Sequence, residues 1–181
     1  MQNNNEITKI DSVEIKEEWK NFDYQKDLTQ ELDKHRGNFT QETINKIVLW
    51  KVGRYAQFDE QAINKINEIT GKETEFDADK TREILRLLLD IKGVKLAMAS
   101  TILRFKNPKI YQIIDQRAYR VIYSQRLNIA TNVDKAIDLY FEYLINLRAV
   151  CQNKNIPFEQ SDRILYNADK DINKDIKLNN Y

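Results

Sequence analysis

The chain has 181 residues, 41% of them apolar and 31% charged, enough for one domain with a sizeable core and incompatible with a wholly disordered polypeptide. Its four glycines and two prolines stand where ordinary usage gives about 22, which excludes a sandwich, a barrel or any fold rich in tight hairpins. A formal net charge of +1 names no partner, the single cysteine Cys151 excludes an internal disulfide and a Cys-based zinc site, and the single histidine His35 excludes His-rich metal sites.

Residues 1–8 read as a polar, poorly ordered tail and 9–181 as a single helical domain. The opening Met-Gln-Asn-Asn-Asn-Glu lacks the basic and apolar regions of a secretory signal, and no run approaches 18 apolar residues. A cytoplasmic protein without membrane spans is therefore expected. A short helix over 13–22 sets Ile15 and Trp19 on one face, and a second over 25–36 ends at Gly37 as its cap. Asn38 and Thr40 are start signals for a third, running through Ile44, Ile47, Val48 and Trp50 to near Val52. Asp59 opens a fourth, with Ile63, Ile66 and Ile69 inward and Gly71 closing it. Asp77 or Asp79 caps a fifth, in which Ile84, Leu85, Leu87, Leu88 and Leu89 are expected to be fully buried. A tight turn over 91–95 leads into a sixth helix from about Leu96 to Phe105, stopped by Asn107-Pro108. A seventh follows Asp115 through Tyr123, 133–152 forms a long eighth, and a ninth follows Pro157. The class is all-α, without repeats or long linkers.

Charge is unevenly placed along this chain. Between 91 and 126, Lys92, Lys95, Arg104, Lys106, Lys109, Arg117, Arg120 and Arg126 are joined by Asp115 as the only anion, a net +7, and the rest sums to −6. Such a segment binds a polyanion locally in a protein that is neutral overall; solvated helix faces are the bland alternative. In Lys92-Gly93-Val94-Lys95 the glycine supplies the positive φ of a tight turn. The next helix is thin at Ala97, Ala99 and Ser100 and points free backbone N–H groups outward, a phosphate site flanked by Lys92 and Lys95. An ordinary helical hairpin uses the same residues. Twenty-two positions after Gly93, Asp115 follows the apolar pair Ile113-Ile114. It reads as the cap of the helix beginning at Gln116, and as an ionised carboxylate beside a bound polyanion, with Arg117 favouring its charged form. The two roles are compatible. Trp50, Tyr55 and Phe58 are candidates to stack on a base, with Trp19 and Tyr24 behind them and Arg54 and Gln57 beside them; core packing is the competing role. Tyr119, Tyr123, Tyr140, Phe141 and Tyr143 are expected in the core, Cys151 as a small buried residue, and His35 at an exposed helix end.

Taken in order, residues 91–95, then Ala97 and Ala99, then Asn107-Pro108 and Ile114-Asp115, resemble the helix-hairpin-helix DNA glycosylase superfamily over 87–123. The resemblance implies a two-lobed helical domain with the hairpin and catalytic lobe at about 77–126. It implies double-stranded DNA as partner, one phosphate held by the N–H groups around Lys92, Gly93, Val94 and Lys95, with Lys106, Lys109, Arg117 and Arg120 on the backbone. A modified or damaged base is turned out of the duplex, and Asp115 stabilises the oxocarbenium-like sugar as the N-glycosidic bond breaks. It implies no metal or organic cofactor, a monovalent cation at the hairpin being the one ion associated with the superfamily's site. Lys92 stands in place of the usual proline and Lys95 in place of the second glycine. The position of the nucleophilic lysine of strand-cleaving members falls on Ala97, so a monofunctional DNA N-glycosylase without lyase activity is expected. One cysteine does not hold the iron–sulfur cluster of some members. The alternatives are a catalytically inactive hairpin module that only binds DNA, and a helical interaction domain docking its basic segment on an acidic protein.

Overall fold

A computed structural model describes residues 25–53 and 56–178, and all regular structure within them is helical. The chain divides into two compact units, Met1–Tyr55 and Ala56–Tyr181, where the sequence leads one to expect a single domain over 9–181. The expected tail and the helix over 13–22 lie outside the described residues. Among the described residues no helix is long and apolar enough to cross a membrane.

In the first unit, α1 (Lys26–Lys34) and α2 (Gln41–Lys51) are joined by a short loop. The Trp50 indole N–H donates to Thr29 Oγ1 at 2.8 Å, and the Lys46 ammonium reaches Glu31 at 2.6 Å. Thr40 caps α2 reciprocally with Thr43, as its place before an apolar run suggests. Gly37 does not close α1. The helix stops at Lys34 with His35 extended, and Gly37 is not in the left-handed region. The reason is a side chain: Arg36 Nη1 donates to the carbonyls of Asp33 and His35 at 2.6 and 2.8 Å, satisfying acceptors that a glycine cap would otherwise serve. The apolar stripe expected to turn inward on α2 is partly covered: Ile47 and Trp50 are half-buried, Ile44 and Val48 exposed.

The second unit contains α3 (Glu60–Asn67), α4 (Ala78–Asp90), α5 (Leu96–Lys106), α6 (Gln116–Tyr123), α7 (Val133–Lys154), a 3-10 turn (Phe158–Gln160) and α8 (Ser161–Ile172). Four of these helices begin on a short acid or amide that accepts a first-turn N–H: Asp59 for α3, Asp77 for α4, Asp115 for α6 and Asn132 for α7. The core takes Ile84, Leu85 and Leu88 from α4, Leu96, Ala99 and Leu103 from α5, and Ile137, Tyr140, Tyr143 and Leu147 from α7. Leu87 and Leu89 are half-buried rather than fully buried, because α4 covers only one face. On α3 the inward stripe runs through Ala62 and Ile66 and on to Ile69, so Ile63 is rotated outward and 46% exposed. The helix ends at Asn67, and Gly71 turns the loop beyond it at φ +78°.

The tyrosines form a ladder of rings, Tyr140 to Tyr143 at 6.5 Å, Tyr143 to Tyr119 at 6.5 Å and Tyr119 to Tyr123 at 4.3 Å. Tyr140 and Tyr143 are fully buried, while Tyr119, Tyr123 and Phe141 lie half-buried against the same core. Cys151 is buried, as expected. Asn107, with no exposed surface, ends α5: its amide donates to the Glu73 carbonyl at 3.0 Å and its side-chain oxygen accepts the Lys109 N–H at 3.1 Å. Chain reversal there delivers residues 110–115 back onto α5 and α7.

Candidate phosphate anchor and carboxylate

The turn between α4 and α5 is held by its own backbone, Ile91 N–H donating to Leu88 and Val94 N–H to Ile91, at 3.3 and 3.0 Å. Gly93 sits at φ +89°, and a Cβ built there meets nothing within 4 Å. Glycine is therefore required by conformation and not by crowding. Gly93→Ala is expected to cost about 1–2 kcal/mol, and Gly93→Asn less, because Asn tolerates the left-handed region. Thermal melts of the two variants check the order. Val94 is buried and anchors the turn, leaving Lys92, Gly93 and Lys95 exposed. Lys95 is the N-cap residue of α5 and supplies no side-chain acceptor, unlike the caps of α3, α4, α6 and α7. The first-turn N–H groups of α5 thus lack a side-chain cap at the exposed end of the hairpin.

Asp115 is set by a rack of side chains acting on the backbone before it. Tyr140 OH donates to the Gln112 carbonyl at 3.0 Å and Tyr143 OH to the Ile113 carbonyl at 2.8 Å. Ser100 Oγ accepts the Ile114 N–H at 3.2 Å and donates to the Ala97 carbonyl at 2.9 Å. The thin side of α5 is thus what lets this strand-like segment approach. Asp115, half-buried, then accepts the Ala118 N–H at 2.7 Å and starts α6. Its carboxyl is held above the ordinary aspartate range, chiefly by burial and in part by the charge of Asp162. The Ala118 and Arg117 N–H groups and the Arg117 charge act the other way and are outweighed. Arg117 favours the charged form, as expected, but burial prevails; its guanidinium is bonded to Asp169 at 2.9 Å.

Two concavities flank the start of α6. A groove of about 530 Å³ is lined by Val94, Lys95, Leu96 and Ala97 of the hairpin together with Gln116, with Leu127 and Ile129 on its far wall. A second, of about 370 Å³, is lined by Ile113 and Asp115 together with Asp162, Arg163, Tyr166 and Asn167 of α8. Residues 115 and 116 therefore divide the two.

No family model matches the chain, and neither the curated proteins nor the solved structures contain a match to it.

The basic segment is less free than its charge count suggests. Lys92, Lys95 and Lys109 are exposed, and Lys106 donates to Asn67 Oδ1 at 2.9 Å. Arg104 is buried against Asp162 at 3.3 Å and the Glu159 carbonyl at 3.1 Å. Arg120 is buried and not available as a DNA contact: it donates through Nε and Nη2 to Asp169 and through Nη1 to the Ile176 carbonyl. Arg117 is half-buried on the same carboxylate. Two acids of α8 thus neutralise three of the cations.

The aromatic residues expected to form a base pocket are divided between the two units. Trp50 belongs to the first unit, pinned to Thr29; Phe58 belongs to the second, half-buried on its core; Tyr55, like Trp19, Tyr24 and Arg54, lies outside the described residues. His35 is half-buried at the end of α1, 5.4 Å from the Phe39 ring. The helix expected after Pro157 is present as α8, but the part that it plays at the site was not expected. Its signal is the acids Asp162 and Asp169, seven apart on the face that also carries the buried Leu165, since acids on an apolar stripe mark buried polar partners.

Proposed function

We propose that this chain is a two-lobed helix-hairpin-helix protein that binds duplex DNA and, as a monofunctional N-glycosylase, hydrolyses the bond between a modified or damaged base and its sugar. What carries the reading is one groove shared by the hairpin residues Val94–Ala97 and by Gln116, the neighbour of Asp115. A phosphate gripped at the uncapped start of α5 leaves the adjoining nucleotide beside the start of α6. Ionised Asp115 faces the positive charge that develops on the sugar as the base departs, and accepts a proton bond from the attacking water. The capping bond and the rack at 112–114 hold it in one orientation, so little reorganisation accompanies the reaction.

The phosphate contacts fall to Lys92, Lys95 and Lys109, with Lys106 after it releases Asn67; Arg120 and Arg117 are left out, since both guanidinium groups are bonded to Asp169 and the Arg117 N–H serves Asp115. Three or four such contacts give a slope of log affinity against log salt of about −3, reduced by about one in Lys92→Ala or Lys95→Ala. Fluorescence titrations at several salt concentrations measure it. The function is tested with duplexes carrying different base lesions, scored for abasic sites after alkali. Base release from a lesion duplex supports the glycosylase; affinity without release from any lesion leaves the DNA-binding module; no duplex affinity at low salt overturns both.

A further inference from the structure

The concavity that holds Asp115 has a wall that the proposed chemistry does not by itself explain. It measures about 370 Å³, within the ~300–1,000 Å³ usual for ligand sites. Asp162 is 5% exposed yet lines it; one carboxylate oxygen accepts the Arg163 N–H at 2.8 Å and the other faces Arg104 at 3.3 Å. Each oxygen retains a further acceptor position. Tyr166 offers an exposed ring steadied by the Arg117 guanidinium at 5.3 Å, and Asn167 adds an amide one residue on. Ile113 supplies an apolar side. The set is an aromatic surface, an apolar contact and inward-facing acceptors, with Arg163 exposed at the rim.

Resting on the glycosylase reading above, we infer that this concavity seats the extruded base, and that Asp162 selects a base presenting N–H donors, an amino-bearing one, over a base whose edge is carbonyl oxygen. A carboxylate only accepts, so an amino or ring N–H meets it productively. A carbonyl placed there sets oxygen against oxygen, in a place where a buried polar mismatch is costly. Specificity then lies on α8 and not on Trp50, Tyr55 and Phe58, the aromatic residues first considered.

The test measures affinity, so it does not depend on turnover. The target nucleotide carries fluorine at the 2′ position, which withdraws electrons from the sugar and slows cleavage. The full chain is titrated with duplexes containing 7-methylguanine, N6-methyladenine or N3-methyluracil, whose edge carries carbonyl oxygens and no N–H, at that position. The wild type is expected to prefer the amino-bearing bases by about tenfold or more, the worth of one hydrogen bond to a charged acceptor. Asp162→Asn turns one acceptor into a donor and is expected to erase the preference. Asn167→Asp, an exposed change that leaves the Arg104 pair alone, is expected to widen it and serves where Asp162→Asn fails to fold. Duplex affinity with equal binding of all three bases, or with N3-methyluracil preferred, overturns this inference and leaves the glycosylase reading standing. Absence of any duplex affinity overturns both.

Discussion

Replacing Asp115 with Asn is expected to abolish base release, by about 10²-fold or more, while leaving duplex affinity and the fold intact. The reason lies in the two jobs of one side chain. As the N-cap of α6 it accepts the Ala118 N–H at 2.7 Å, and Asn caps as well as Asp. As a charge it opposes its own burial, which holds the carboxyl above the ordinary value of 3.8. The sign follows. Because the folded state favours the protonated form, the contribution of Asp115 to stability is full below 3.8 and declines as pH rises through its elevated folded value. Asp115→Asn removes that decline, so at neutral pH its melting temperature is expected to equal or exceed that of the wild type. Asp115→Ala loses the cap and is expected to lose about 1 kcal/mol. Base release runs opposite to stability, rising with pH as the carboxylate ionises in that window. Melts and single-turnover base release at matched pH values separate the variants. Release that survives in Asp115→Asn removes this residue from the chemistry.

Much of this site was legible because its parts are local. Thr40, Asp59, Asp77 and Asp115 announce helix starts, since a short side-chain oxygen ahead of an apolar run can serve only the N–H groups just beyond it. Gly93 marks a turn whose φ no ordinary side chain tolerates well, and Asn107-Pro108 marks where α5 stops. What failed was decided at a distance. Arg104, Arg117 and Arg120 count as free cations in any local window, and only the folded chain brings Asp162 and Asp169 to them from 49 to 58 residues later. The hydroxyls of Tyr140 and Tyr143 are similar: periodicity places the rings in the core, but not their bonds to residues 112 and 113. Gly37 failed for a local reason, an arginine one residue earlier doing the work expected of the glycine. The wall of the candidate base seat on α8 depends on how α6 meets α8, and no spacing within either helix encodes that.

That meeting rests on Asp169, and Asp169→Ala is expected to be the most destabilising single change in the second unit, by about 3–5 kcal/mol. The carboxylate has no exposed surface and accepts from Arg120 Nε and Nη2, from Arg117 Nη1 at 2.9 Å and from Asn173 Nδ2 at 2.9 Å. Without it, Arg117 can turn toward solvent, but Arg120 remains buried with only the Ile176 and Asn173 carbonyls for company. Most of the loss is therefore the stranded Arg120 charge, and against a total stability of about 5–15 kcal/mol it brings the unit close to unfolding. Burial pushes the Asp169 carboxyl up, but the bonds from Arg120, Asn173 and Arg117 prevail and hold it below 3.8. Its stabilisation is accordingly full above 3.8 and is lost as pH falls through the depressed value, the reverse of Asp115. Urea titrations at pH 7 and at successively lower pH below 3.8 should show the difference between the wild type and Asp169→Ala shrinking as the acid protonates. Adding Arg120→Met to Asp169→Ala removes the stranded charge and is expected to recover a large part of the loss. If the double variant is no more stable than Asp169→Ala alone, the deficit belongs to α6–α8 packing and not to the ion pair.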